Sequence, residues 1–306
     1  MKSFNFLVFT ILFVITSCTI DKTDYEAEID SQVPEYNEFK EAVSLTSGNY
    51  KISIETLNGS FYKGYNELRL KVINTQNNQN VNATEVTFLP IMSEDEITSS
   101  CPHEYNLIYD ATNKYFAGYS VFTHETASSN NWKLYISFKV ENQKYDANAA
   151  VLVEKQSNKN LNMTTFTGKD NEEYVIALIS PQKPTVSENP LVAGIYKYNK
   201  PTSVAGTFPD PTQYSYSEVD NYTLKLDPRM PEPSMGNHSS PNNKDLTQED
   251  DGLYHGVVNY TMTGNWTLNL IMLNQNGLII KGTVVPTDFT PGVEGAKSEL
   301  FIDTLF

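Results

Sequence analysis

Hydrophobic and polar residues alternate in short segments along most of this chain, which is the period of β-strands with one buried face. In the first half the alternating segments lie at residues 51–55, 67–73, 83–89, 114–123, 132–140 and 149–155. In the second half they lie at 222–226, 253–260, 268–273 and 278–285, and the last two flank Asn276-Gly277, a strong hairpin-turn signal. Helical patterns are few, so an all-β fold is predicted.

The segments recur in the same order in the two halves, which indicates a duplicated domain. Pro90 and Met92 correspond to Pro228 and Met230 in this comparison, and the other matched pairs are Asn66 with Asn189, Leu68 with Leu191, Gly118 with Gly256, and Trp132 with Trp266. About seven short strands per copy are typical of an immunoglobulin-like β-sandwich. We therefore predict two tandem sandwiches at residues 43–157 and 171–306, each with its tryptophan in the core.

Two segments lie outside this strand pattern. Residues 156–170 are polar, without periodicity, and are predicted to form the linker between the sandwiches. Residues 200–215 form an insertion in the second copy that is rich in Pro and contains Tyr214. Its length suggests a surface loop, and no role follows from its sequence.

The start of the chain resembles a bacterial lipoprotein leader. Residues 4–15 are almost entirely apolar and end in Ile15-Thr16-Ser17-Cys18, which looks like a lipobox. This pattern predicts a signal peptide at 1–17, lipidation of Cys18 and an acidic tether at 18–42. The alternative is an ordinary secretory signal with an incidental cysteine. We expect a lipid-anchored protein of the bacterial envelope, in the outer membrane, facing the periplasm or the cell surface.

The net charge limits the classes of binding partner, and the cysteine content limits disulfide formation. The formal net charge of −15 argues against binding to nucleic acid or to an anionic membrane face. Only two cysteines are present, and lipidation of Cys18 would leave Cys101 without a disulfide partner. A lone thiol in an oxidising compartment is reactive, buried or a metal ligand.

Candidate metal ligands are concentrated at residues 230–242 of the second copy. Asp227-Pro228 predicts the end of the preceding strand, and three Pro and one Gly then predict an exposed loop. This loop carries two thioethers and one imidazole, Met230, Met235 and His238. Such ligands suit copper, above all Cu(I). The alternative is that the methionines are apolar filler beneath the loop.

The first copy differs at these positions. It has Met92, Glu96 and Ser99, with Cys101 and His103 close by in the sequence. Met92, Cys101 and His103 would make a second soft site, since thiolate, thioether and imidazole all bind Cu(I). The alternative is a site that has decayed.

A resemblance to a known family rests on a set of residues in the second copy. These are Met230, Pro231, Met235, Gly236, His238, Gly252, Tyr254, Gly256, Met262, Gly264, Trp266 and Leu268. Their arrangement is similar to the YtkA-like/FixH family of envelope sandwich domains. The resemblance implies a location outside the cytoplasmic membrane, a role in copper handling, and partners such as a copper protein or a respiratory oxidase under assembly. It implies no catalysis.

Motifs of common enzyme classes are absent from the sequence, including Gly-x-Ser-x-Gly, His-Glu-x-x-His and a Gly-rich phosphate loop. We therefore expect a copper-binding or soft-metal-binding envelope protein that is not an enzyme. A cell-surface structural or interaction lipoprotein without metal is the alternative, and the abundance of tyrosine favours it. A chaperone for a respiratory oxidase is a third possibility, which overlaps the first.

Overall fold

The computed structural model describes residues 38–156 and 159–305. The predicted signal peptide, the predicted lipidation site Cys18 and the tether up to residue 37 lie outside the described residues. The all-β prediction is confirmed, because the described residues contain 23 strands and one 3₁₀ turn at Pro211–Gln213. Among these residues, no helix has the length and apolar character needed to cross a membrane.

The first sandwich consists of two sheets around one core. One sheet has the order β1-β2-β4-β9-β8, with β5 beside β4, and the other has the order β11-β10-β6-β7; β3 and β12 form a parallel pair. The strands are β1 (Phe39–Ser47), β2 (Tyr50–Leu57), β3 (Phe61–Tyr62), β4 (Gly64–Asn74), β5 (Gln79–Asn80), β6 (Thr84–Glu94), β7 (Ile97–Ser99), β8 (Ile108–Asp110), β9 (Tyr115–Phe122), β10 (Asn130–Val140), β11 (Gln143–Val151) and β12 (Val153–Glu154).

The second sandwich is one continuous eleven-stranded sheet folded around its own core. Its order is β13-β14-β15-β20-β19-β17-β21-β22, with β16 beside β15, β18 beside β17 and β23 beside β21. The strands are β13 (Met163–Thr167), β14 (Glu173–Ser180), β15 (Glu188–Tyr198), β16 (Tyr216–Glu218), β17 (Thr223–Met230), β18 (His238–Ser239), β19 (Lys244–Gln248), β20 (Tyr254–Asn259), β21 (Asn265–Leu273), β22 (Ile279–Lys281) and β23 (Phe301–Leu305).

Residues matched between the two halves of the sequence occupy equivalent ladder positions. The equivalent cross-strand pairs are Leu68–Gly118 and Leu191–Gly256, and Pro90–Leu134 and Pro228–Leu268. Trp132 and Trp266 are both fully buried, as predicted, and each indole donates a hydrogen bond to a backbone carbonyl. The duplication seen in the sequence is therefore also present in strand pairing and core composition.

Two predicted boundaries differ from the observed strands. β1 begins at Phe39, inside the segment predicted as tether, and β13 occupies part of the segment predicted as an irregular linker. Both are outermost strands of their sheets, hydrogen-bonded along one side only. An edge strand is exposed to water along its unpaired side and carries many polar residues. Its sequence therefore resembles that of a loop.

The predicted end of a strand at Asp227-Pro228 is wrong, because β17 continues to Met230. Proline cannot donate to a ladder, and it is tolerated only where no neighbour needs its N–H. On one side Pro228 lies opposite Leu268, and on the other side it lies in a gap between two short strands. β19 pairs with Thr223 and Leu224, and β18 pairs with Arg229 and Met230, so neither strand reaches Pro228.

The two sandwiches pack against each other through apolar and aromatic side chains. Val175, Ala177 and Tyr196 of the second sandwich are buried in a cluster with Val121 and, partly buried, Tyr119 of the first. The rings of Tyr119 and Tyr196 lie 5.6 Å apart between centroids. This interface makes the two sandwiches one packed unit.

The Pro-rich insertion also reaches across to the first sandwich. Tyr214 is buried against Leu89 and Ile91, on the outer face of β6. Its hydroxyl lies 2.9 Å from Thr98 Oγ1, and the Tyr216 hydroxyl donates to the Ser100 carbonyl at 3.1 Å. The insertion is therefore a strap between the two sandwiches, a role that its sequence did not reveal.

One carboxylate from each sandwich lies at this interface, Glu104 from the first and Glu218 from the second. Burial raises the pKa of Glu104, and the negative charge of Glu218 raises it further. Burial, followed by the charges of Asp220 and Asp251, raises the pKa of Glu218. The folded chain thus holds these protons more tightly than the unfolded chain. This contribution to stability is complete below the ordinary carboxyl pKa, 4.5 here, and is lost as the pH rises through the raised folded values.

Glu104→Gln is expected to raise the melting temperature at pH 7, because the amide removes a partly buried charge beside Glu218. At pH 4, where the carboxyl is already protonated, the variant and the parent chain should melt together. Differential scanning calorimetry at both pH values measures the difference, with the exposed Glu96→Gln as the matched control. A gain that is equal at both pH values would contradict the electrostatic explanation.

Candidate metal site

Met230 is the last residue of β17, and its side chain is fully buried in the second core. The prediction that it lies in an exposed loop is therefore wrong. The strand continues through Pro228, so Met230 lies on a paired strand and its side chain packs in the core.

His238 lies directly opposite Met230 in the antiparallel pairing of β17 with β18. Residues paired in this way project their side chains to the same side of the ladder. The imidazole is exposed, its Nε2 lies 2.9 Å from Thr261 Oγ1, and its ring centroid lies 6.1 Å from that of Trp266. Strand pairing thus places the predicted imidazole beside the predicted thioether.

A tight turn brings the third predicted ligand, Met235, to the same place. The Met235 N–H donates to the Glu232 carbonyl at 2.9 Å, and the His238 N–H donates to the Met235 carbonyl at 3.2 Å. Gly236 and Asn237 have φ values of 63° and 52°, so the backbone reverses through the left-handed region. Met235 is half-buried and packs against the second core.

The segment at residues 286–295 crosses the turn and holds it in place. The Gly295 N–H donates to the Pro231 carbonyl at 2.6 Å, and Asn237 Nδ2 donates to the Pro286 carbonyl at 3.3 Å. A Cβ at Gly236 would lie 3.6 Å from the ring of Phe289, so this ring covers the turn. The turn is therefore supported from both sides.

Met262 is a fourth soft donor at this edge of the sandwich, and sequence reasoning did not include it among the ligands. It follows Thr261, which contacts His238, and its carbonyl accepts the Trp266 indole hydrogen bond at 3.0 Å. Its side chain is 38 % exposed. The clue was its place among the residues that carry the family resemblance.

The predicted site in the first sandwich is mostly inside the core. Met92 and Cys101 are both buried in the first core. Burial raises the pKa of the Cys101 thiol far above its usual range, so the thiol stays protonated at neutral pH. His103 Nδ1 lies 2.7 Å from the Cys101 carbonyl, and burial lowers the pKa of this imidazole to about 4. These groups are close in the chain, but a cation would have to displace core packing to reach Met92 and Cys101.

A comparison of the two copies assigns a packing role to two of the methionines. Met92 lies opposite Trp132 in the first sandwich, and the equivalent Met230 shares the second core with Trp266. This arrangement occurs in both copies, so it serves the core whether or not a metal binds. The candidate ligands specific to the second copy are Met235, His238 and Met262.

The chemistry of this edge is that of a soft site. Among residues 38–156 and 159–305, no group of three or more His, Cys, Asp or Glu side chains is arranged to hold a metal ion. Thioethers with one imidazole favour Cu(I) over the hard cations, which prefer oxygen. The donor set present therefore fits copper in its reduced state.

Comparison with known proteins adds no family assignment. No protein family model matches the chain, and no curated protein matches it. A solved structure described as the crystal structure of the conserved domain protein from Bacillus anthracis is similar at 13% identity. The alignment covers 89% of this chain and 92% of that one, with a TM-score of 0.29, and a score of this size supports no argument about fold or function.

Proposed function

We propose that the protein is a copper-binding protein of the bacterial envelope, anchored by lipid at Cys18, which holds Cu(I) at one edge of its second sandwich. The observation that carries this proposal is the position of His238, which lies opposite Met230 and 6.1 Å from the Trp266 ring, three residues after Met235 in a turn that packs against the same core. Met262 completes the site at the surface, and Met230 forms its floor.

The proposed ligands differ in burial, and this difference determines how each would contact the ion. His238 is exposed, so its imidazole can turn from Thr261 towards the ion with little cost to the fold. The half-buried Met235 supplies a thioether from the turn, and the Trp266 ring shields the ion from water on the core side. A site of this kind binds and releases a metal, and we propose buffering or delivery as its role. A copper protein or a respiratory oxidase under assembly is the proposed recipient, on the family resemblance alone.

Cu(I) titration of the full-length chain in detergent, against a competing chelator, tests this site. We expect one tightly bound Cu(I), and we expect His238→Ala and Met235→Ala each to weaken binding by at least about tenfold, since each removes one ligand worth roughly 1.4 kcal/mol or more. Met230→Leu removes sulfur while keeping the core volume, and it reports whether the floor takes part.

Controls separate this site from the other soft groups of the chain. The exposed His124→Ala should leave Cu(I) affinity unchanged, and so should Cys101→Ala if the first sandwich takes no part. Binding that survives His238→Ala and Met235→Ala but is lost in Cys101→Ala would move the site to the first sandwich. Absence of binding in the parent chain would refute the proposal.

A second candidate function is a structural or interaction role at the cell surface without metal. The observation in its favour is the packed interface and the strap, which join the two sandwiches into one packed unit. The packing role of Met92 and Met230 agrees with it. This function would be preferred if no Cu(I) binds and if a surface partner is recovered equally well by the parent chain and by Met235→Ala/His238→Ala.

A further inference from the structure

An open cleft of about 940 Å³ lies on the outer face of the first sandwich, and none of the proposed copper ligands lines it. Its floor is the sheet formed by β6, β10 and β11, and its wall is the strap at residues 207–209. Small-molecule sites commonly have volumes of about 300–1,000 Å³. The cleft is therefore large enough for a ligand of several rings.

Two rows of side chains cross the floor from strand to strand. In one row Thr87, Ser137 and Asp146 lie side by side, and in the next row Tyr135 lies beside Asn148. Alternation directs Leu134, Ile136 and Phe138 into the core, so the residues between them face the cleft. The floor thus offers hydroxyl, amide and carboxylate groups next to one aromatic ring.

The wall supplies a second aromatic ring. Phe208 is 53 % exposed, and its ring meets that of Tyr135 edge to face, with centroids 5.6 Å apart. The buried Tyr214 holds the strap on β6, so Phe208 stays beside the floor. The cleft therefore exists only because the second sandwich reaches over the first.

The charges in the cleft cancel. Lys139 lies 2.6 Å from Glu85, and Lys144 lies 3.0 Å from Asp146, so each cation that lines the cleft is paired with a carboxylate that also lines it. No unpaired positive charge attracts an anion there, and no unpaired negative charge attracts a cation. This balance favours a neutral ligand.

We propose that this cleft binds a neutral oligosaccharide. Sugar rings have apolar C–H faces that stack on aromatic rings such as Tyr135 and Phe208. Their hydroxyl edges both donate and accept hydrogen bonds, as the Ser137, Asn148 and Asp146 side chains require. An apolar peptide would cover the Ser137 and Asn148 side chains without giving them partners, at a cost of about 1–3 kcal/mol for each.

Isothermal titration calorimetry of the full-length chain in detergent tests the proposal with neutral hexasaccharides of β-1,4-glucose, α-1,4-glucose, β-1,4-mannose and β-1,4-xylose. At least one should bind. Phe208→Ala should weaken that binding by about tenfold, because it removes one stacking surface and leaves the exposed strap otherwise unchanged. Asn148→Ala, an exposed change on the floor, should also weaken it.

The controls make the result specific to this cleft. Tyr109→Ala removes a similarly exposed aromatic ring outside the cleft and should leave binding unchanged. Binding to none of the four hexasaccharides would overturn the proposal, as would binding that is equal in the parent chain, Phe208→Ala and Asn148→Ala. Binding of oligogalacturonate, an acidic hexasaccharide, in place of every neutral one would also overturn it.

Discussion

Trp266→Ala is expected to lower the free energy of unfolding of the second sandwich by about 3–5 kcal/mol, the range for removing a large buried aromatic side chain. The indole is fully buried and packs against Tyr260, with ring centroids 5.4 Å apart. Its N–H donates to the Met262 carbonyl at 3.0 Å, so truncation opens a cavity and also removes a partner from a backbone oxygen. Few other single side chains contribute as much to this core.

Urea denaturation followed by far-ultraviolet circular dichroism measures this loss. Trp132 is the other tryptophan of the chain and remains in the variant, so its fluorescence reports the first sandwich separately. Trp266→Phe keeps an aromatic ring in the core and should lose less stability than Trp266→Ala. A loss below about 1 kcal/mol for the alanine variant would show that Trp266 is not the core anchor proposed from its burial.

The strands and the core anchors could be predicted from the sequence because both depend on local pattern. β10 alternates strictly between buried and partly exposed residues, and its buried positions are the hydrophobic ones. Trp132 begins this pattern in β10, and Trp266 begins an alternation of hydrophobic and polar residues in the sequence of β21; a large aromatic side chain at such a position is usually buried in the core. The matched segments recur in the same order in the two halves of the sequence, and this order indicates which strands are equivalent.

The contact between the sandwiches could not be predicted in the same way, although a signal was present. Lys51 and Ser53 of β2 align with Val175 and Ala177 of β14 in the repeat. The apolar pair makes β14 hydrophobic on both faces, which is typical of a strand covered on both sides. The sequence of β14 indicates that this face of the strand is covered. It does not indicate that the first sandwich covers it, because that contact joins residues far apart in the chain.

The prediction that Met230 lies in an exposed loop was wrong, and metal binding by the residues of this edge stays a prediction. Local rules place Asp227-Pro228 in a turn, whereas pairing with β21 keeps it in a strand and buries Met230. That outcome depends on where two short neighbouring strands stop, a tertiary property with no local signature. For the same reason, the sequence of the Pro-rich insertion predicts a surface loop, whereas Tyr214 of this insertion packs on β6.

Asn189→Ala is expected to lower the free energy of unfolding of the second sandwich by about 2–4 kcal/mol, since each unsatisfied buried group costs about 1–3 kcal/mol and the backbone relaxes in part. The side chain is buried and stabilises the loop before β15 with three hydrogen bonds to backbone groups. Its Oδ1 accepts from the Thr185 N–H at 2.9 Å, and its Nδ2 donates to the Thr185 and Ser187 carbonyls at 2.8 Å each.

Asn66 makes the same three hydrogen bonds before β4, to the Tyr62 N–H, the Tyr62 carbonyl and the Gly64 carbonyl, at 2.8, 2.7 and 2.9 Å. Asn66→Ala should therefore cost the first sandwich a similar amount. Fluorescence of Trp132 in a Trp266→Phe background, and of Trp266 in a Trp132→Phe background, reads each sandwich separately. The exposed Asn131→Ala is the control, and a loss below about 1 kcal/mol in either buried variant would contradict the argument. Similar losses at Asn66 and Asn189 would show that both copies kept the same stabilising hydrogen bonds as well as the same strand order. Another side chain could not easily replace the Asn amide, because it both accepts from and donates to backbone groups in each copy.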